Sequence, residues 1–206
     1  RARDALQAAL DEAGIALKLM TGADVHLVPG IVEGLRAGRI PSLNDTRYVL
    51  IEPSHHSPPP RFADHVFNFV AAGYVPVITH PERFTWLKDH YQTFEDLTRQ
   101  GAWLQVTAGA LTGTFGSAPK YWGERLIGEG LTHILATDCH SSGRRVPVLS
   151  EGLAIAEKLV GKDEAQQLVV GRPAVLMRNE PPSQAAPLPH RPPADRGCSK
   201  RRWSRR

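Results

Sequence analysis

The sequence predicts an α/β fold built on a parallel sheet, and three observations predict it. Short runs rich in β-branched and aromatic residues alternate along the chain with segments of helical period. The runs at 48–51 (YVLI) and 74–79 (YVPVIT) are apolar without alternation, which marks strands covered on both faces. Residues able to bind metals or anions fall where such runs end. In α/β folds, as barrels or as open sheets, active sites lie at the carboxyl ends of the strands.

The elements follow in order. Residues 2–13 repeat small apolar side chains at helical spacing and stop at Gly14, a residue suited to closing a helix. Residues 15–20 and 24–28 are short apolar runs, and 31–37 suits a short helix ended by Gly38. After the strand at 48–51, residues 62–72 read as an amphipathic helix ended by Gly73. The strand at 74–79 precedes a helix at 94–100, closed by Gly101, and a strand at 103–107 (WLQVT). Residues 121–129 form a helix, 132–137 (THILAT) a strand, 148–160 a helix and 163–169 a last short helix before the apolar run 174–177. His65, His90 and His133 fall at expected surface positions of these elements.

The 206 residues suffice for one domain with a sizeable core, and a hydrophobic content of 41% is ordinary for such a domain. No apolar run is long enough to cross a bilayer and the start resembles no signal peptide, so a cytoplasmic location is expected. Cys139 and Cys198 are too few for a disulfide framework. Charge is concentrated at one end. Residues 191–206 hold seven Lys or Arg against Asp195, a charge of +6, which leaves −2 for the rest of a chain whose net charge is +4. A proline-rich stretch precedes this basic segment. The division expected is a domain over 1–180 and a disordered Pro/Arg-rich tail over 181–206. With Trp203 as its only aromatic, the tail is not expected to bind nucleic acid, and no membrane insertion is expected. The chain opens at Arg1, inside a helical pattern, and is expected to be a fragment.

The strand ends carry a consistent chemistry. Glu52 ends the strand at 48–51, His80 follows the one at 74–79, and Asp138 and His140 follow the one at 132–137. Asp24 begins the run after Gly22. Taken singly, each has a plainer reading as a solvated acid, a turn residue or a helix cap. Gathered at one rim, carboxylates and imidazoles are what a Mn²⁺, Fe²⁺ or Zn²⁺ site requires. Two or more such ions lower the pKa of a bridging water and stabilise both oxygens of an in-line phosphoryl displacement. Arg83 and Arg145 lie close in sequence to two of these positions, and the planar guanidinium fork suits phosphate oxygens. His55 and His56 follow Glu52 in a loop expected at the rim, lining the substrate entrance or solvated.

Residues 73–84 (GYVPVITHPERF) resemble the G-Y-x-P-[VI]-[IVL]-A-H-P-E-R-Y segment of bacterial tyrosine-protein phosphatases of the polymerase-and-histidinol-phosphatase (PHP) superfamily, linked to capsular and exopolysaccharide synthesis. Residues 42–52 (SLNDTRYVLIE), 104–116 (LQVTAGALTGTFG) and 137–147 (TDCHSSGRRVP) are similar to further segments of that family, in the same order. The resemblance covers roughly residues 5–180. It implies a distorted (β/α)7 TIM-like barrel and a metal-dependent phosphatase, in which metal-activated hydroxide attacks phosphorus. The ion implied is Mn²⁺, as a di- or trinuclear centre, with Fe²⁺ or Zn²⁺ as alternatives. Glu52, His80, Asp138 and His140 match family metal ligands, Asp24 stands where the family has glutamate, and Arg83 and Arg145 match arginines that bind the phosphoryl group. The substrate implied is a phosphotyrosine protein, namely a bacterial tyrosine kinase of polysaccharide export.

Departures are Cys139 for a small residue, Ser141 for asparagine and Ala110 for serine. The resemblance also implies an earlier strand bearing D-x-H-x-H, a further Asp and a [TS]-P-H strand end, so this chain is expected to lack the first strands of the barrel and to be a weak or inactive enzyme. Competing readings are a small-molecule phosphatase such as histidinol-phosphatase and a non-catalytic binding fragment. A cysteine-dependent phosphatase is a third, because Cys139 to Arg145 satisfies C-x5-R.

Overall fold

A computed structural model describes residues 2–141, 143 and 145–189. The apolar runs form strands β1 (Asp24–His26), β2 (Tyr48–Glu52), β3 (Val75–Thr79), β4 (Trp103–Thr107) and β5 (Ile134–Ala136). All four pairings are parallel, and the strands lie side by side in chain order. Sequential order separates the two versions of the α/β fold. A doubly wound sheet reverses its order at a switch point; this sheet never does, and so winds as a barrel wall.

The helices are α1 (Ala2–Glu12), α2 (Ile31–Arg36), α3 (Phe62–Ala71), α4 (Leu87–Arg99), α5 (Ala108–Leu111), α6 (Ser117–Gly128), α7 (Ser150–Val160), α8 (Lys162–Gln166) and α9 (Arg172–Met177). Side chains alternate across each strand. Val49, Ile51, Ile78, Leu104 and Val106 point one way, into a core shared with Phe62, Val66, Phe69, Phe94, Leu97, Leu126 and Ile127 of the helices. Tyr48, Val75, Val77 and Trp103 point the other way, where Val175 and Leu176 of α9 cover them. Strands apolar on both faces are thereby accounted for. The second face turns polar toward the strand ends, at Glu52, Thr79 and Thr107.

Several boundaries differ from the expected ones. Helix α4 begins at Leu87 rather than 94. Its buried residues Leu87, Phe94 and Leu97 share a face, but the polar stretch between them hides the period. Helix α6 begins at Ser117 because its first turn needs no apolar face and tolerates Pro119, whose missing N–H would be unpaired there anyway. The expected helix at 163–169 is α8 running into a wider turn over Gln167–Gly171, and the run 174–177 belongs to α9. The apolar run 15–20 joins no strand. Instead the Gln7 amide donates to Leu17 O (2.9 Å) and accepts from Leu19 N–H (2.8 Å). His133, expected at a surface, is buried.

The chain past 180 also departs from expectation. Pro182–Gln184 form a 3-10 turn. Arg172, fully buried, pairs both terminal nitrogens with Glu164 (2.7 and 3.0 Å) and donates to the carbonyls of Ala186 and Pro187 (3.1 Å each). The proline-rich composition fails as a guide here because a buried guanidinium needs acceptors, and extended backbone supplies them. The basic segment 190–206 lies outside the described residues.

Candidate metal and phosphate site

Glu52 ends β2 with its side chain on the inner face, where the parallel register sets His26 of β1 beside it. One strand over, Thr79 ends β3 and donates to Ile51 O (3.3 Å) and to Asp24 Oδ1 (3.4 Å). His80 follows in the left-handed region, φ 36° and ψ 51°. Asp138 and Arg145 also have positive φ, 50° and 55°. Non-glycine residues are held there only where surrounding structure dictates it, and such positions concentrate at functional sites. The turn at Pro81–Arg83, closed by Arg83 N–H to His80 O (3.0 Å), aims Arg83 back across the strand ends.

Two groups of side chains result. In the first, Glu52 Oε1 lies 3.2 Å from His80 Nε2 and 3.3 Å from His55 Nε2. The ligand atoms of Glu52, His55 and His80 all lie within 4.8 Å of one another, and no other set of three or more does so among the described residues. His80 Nδ1 is buried without a hydrogen-bond partner, while His55 Nε2 faces Glu52 Oε1 alone. Burial, then the charges of Arg83 and His55, pushes His80 down to about 3, and burial with Arg83 lowers His55 as well. Both imidazoles are therefore neutral near pH 7, the state in which histidine binds metals. Burial against its neighbours and then the Glu52 charge push Asp24 up to about 6, although the residue stands at the open edge of the sheet. Neutral imidazoles converging on one carboxylate oxygen, with the buried His80 Nδ1 left unpartnered, fit a divalent transition metal.

In the second group, Asp138 Oδ2 accepts from Arg83 Nη1 (3.2 Å) and from Arg145 Nη2. His140 Nδ1 lies 3.0 Å from the carbonyl oxygen of Asp138, and its Nε2 lies 3.1 Å from Arg145 Nη1. The expected ligands thus divide: Glu52 and His80 meet, while Asp138 and His140 meet the two arginines. Cys139 is exposed, and Arg145 is directed to Asp138 and His140.

Sequence reasoning set His55 only at the rim. It occupies the third position of the metal-capable cluster, and its place three residues past Glu52, in a loop without period, gave no signal of direction. Glu82 was missed altogether. It is buried, its Oε1 accepts from Thr107 N–H (3.0 Å), and burial pushes it up to about 7. That bond fastens the turn carrying His80 and Arg83 to the end of β4.

Parallel strands wound in sequence, with metal-capable side chains and paired arginines at their carboxyl ends, define a barrel-type α/β protein with a metal- and phosphate-capable rim. The chain belongs to the family described as capsular polysaccharide synthesis, CpsB/CapC, which matches residues 1–178. It is 33% identical over 190 residues to the tyrosine-protein phosphatase YwqE of Bacillus subtilis, covering 91% of this chain and 74% of that protein. It is 28% identical over 174 residues to the tyrosine-protein phosphatase CpsB of Streptococcus pneumoniae, covering 80% of this chain and 70% of that one. A solved structure from work on YwqE of B. subtilis and CpsB of S. pneumoniae, described as unique metal-dependent tyrosine phosphatases, superimposes with a TM-score of 0.82 at 30% identity. The overlap covers 87% of this chain and 72% of that chain.

Proposed function

We propose that this chain carries most of the catalytic domain, over residues 1–180, of a metal-dependent phosphatase that hydrolyses phosphotyrosine on protein. The observation that carries the reading is the Glu52, His55, His80 cluster at the carboxyl ends of β2 and β3, on the same rim as the arginine pair. Glu52, His80 and His55 would hold an ion, with Asp24, Asp138 and His140 as the further ligands that the family resemblance implies. The ion proposed is Mn²⁺, with Fe²⁺ or Zn²⁺ as alternatives. Such an ion, when bound, supplies an acidified water and charge for the developing phosphorane oxygens. Arg83 and Arg145 grip phosphoryl oxygens through their forked donors, and Asp138 orients both forks. Family membership and the names of YwqE and CpsB support phosphotyrosine as the substrate. The partner proposed is a bacterial tyrosine kinase controlling capsule or exopolysaccharide synthesis, in the cytoplasm. Among the described residues no helix is long and apolar enough to cross a membrane.

The test is to strip the protein with a chelator, add back single metals, and follow hydrolysis of an aryl phosphate and a phosphotyrosyl peptide. Activity, expected to be weak because the resemblance implies earlier strands and ligands that this chain lacks, should vanish on stripping and return best with Mn²⁺. Full activity after exhaustive chelation, or activity abolished only by alkylating Cys139, overturns the reading.

A further inference from the structure

Phe115 belongs to neither group of expected site residues, yet its ring touches both arginines. Arg83 Cζ lies 4.8 Å and Arg145 Cζ 5.7 Å from the ring centroid. Both are within the roughly 6 Å over which an aromatic face attracts a guanidinium. The ring's position is built into the loop. Thr114 N–H donates to Gly109 O (2.9 Å) and Gly116 N–H to Gly113 O (3.0 Å). Gly113 and Gly116 take φ of +87° and +94°, where side chains are strained. Gly109 lies under the ring: a Cβ there would stand 3.1 Å from Phe115 Cε2. A glycine at 109 therefore lets the ring settle against the backbone of α5.

The arginines need such a support. Their guanidinium groups share one carboxylate oxygen of Asp138, so two like charges converge on a single counter-charge. A ring face attracts both cations without consuming any of their N–H donors, which a second carboxylate would do. Phe115 is half-buried, so its ring is anchored on one side and open on the other.

We propose that Phe115 is a positioning residue: its ring holds Arg83 and Arg145 side by side so that both present their donors to one phosphoryl group. This rests on the reading of the two arginines as the phosphate grip. The neighbouring cleft, lined by Thr112, Thr114, Phe115, Arg145 and Val146, leaves space next to the pair.

The test is calorimetric titration of the full, Mn²⁺-loaded chain with inorganic phosphate. Phe115→Leu keeps bulk and removes the ring; it should weaken phosphate binding about fivefold, roughly 1 kcal/mol. Phe115→Tyr restores the ring and should return affinity to within about twofold. Metal content and thermal midpoint should match the native chain in both variants. Arg83→Ala and Arg145→Ala separate the two ideas. Native-like phosphate affinity in both arginine variants, or no phosphate binding by the native chain, overturns the phosphate grip and the Phe115 proposal with it. Loss of binding in the arginine variants with native affinity in Phe115→Leu overturns the Phe115 proposal alone. A tyrosine variant as weak as the leucine variant also overturns it.

Discussion

Glu52 Oε1 stands between two imidazole nitrogens at 3.2 and 3.3 Å, and the two histidines reach it by different routes. His80 is fixed by the end of β3 and the turn after it, whereas His55 comes from the loop after β2 and is steadied by ring contacts, 4.9 Å to His80 and 5.8 Å to Phe84. Its neighbour His56 contributes no ligand atom to the cluster. Strand-end logic set Glu52, His80 and Asp138 at one rim, because parallel strands deliver their last residues there; the structure brings Glu52 to His80 and Asp138 to Arg83 and Arg145. That logic could not choose between His55 and His56, since a loop has no period from which direction is read. Removing a direct ligand should cost metal affinity at least what loss of a ligand's outer partner costs, about tenfold or more. His55→Ala should therefore weaken Mn²⁺ binding by that much in a calorimetric titration, and His56→Ala should leave it near the native value. The reverse pattern would reassign the third position to His56.

At the scale of elements, β5 and its approach show how tertiary context overrides a plausible surface assignment. His133 precedes β5, and its N–H donates to Leu104 O (2.9 Å) while its Nδ1 accepts from Leu104 N–H (3.2 Å). One residue thus supplies both bonds that pair this approach with β4. Its ring stacks on Trp103, centroids 5.0 Å apart with planes 14° from parallel. Nothing in THILAT reports these partners, because they lie about thirty positions back in the chain. Burial, and then the Arg172 charge, push His133 down to about 3. The sign follows: the unfolded histidine takes up a proton near its ordinary value of about 6.5, while the folded one does not until far lower. Stability contributed by the neutral ring is complete above about pH 6.5 and is lost as pH falls toward 3. The slope from this group is about 1.4 kcal/mol per pH unit in that window. Urea unfolding of His133→Gln should give a shallower acid slope than the native chain, by the equivalent of one proton. Equal slopes would mean that His133 is accessible to protons in the folded state.

At the scale of the molecule, the sequential parallel sheet converts positions distant in the chain into neighbours. Glu52, His55 and His80 fall on two adjacent strand ends, and an ion held by all three links β2 to β3 and its following turn. The alternation of apolar runs and helical periods made this architecture legible, and the resemblance chose the barrel over the open sheet. What was not legible was the cover that α9 lays over the second face of the sheet, since α9 read only as a run and its burial depends on Tyr48 and Trp103. An unfolded chain cannot gather the three ligands, so metal binding is a property of the folded state and stabilises it by mass action. Mn²⁺ at a hundredfold its Kd should add about 2.7 kcal/mol. For a domain of this size that is a rise in Tm of roughly 5–10 °C. Glu52→Ala removes the carboxylate common to both contacts and should abolish most of the Mn²⁺-dependent rise, whatever it does to Tm without metal. Scanning calorimetry of the native chain and this variant, each with and without Mn²⁺, reads the difference directly. A native Tm that ignores saturating Mn²⁺, or an equal rise in Glu52→Ala, would show that the strand-end cluster does not hold the ion.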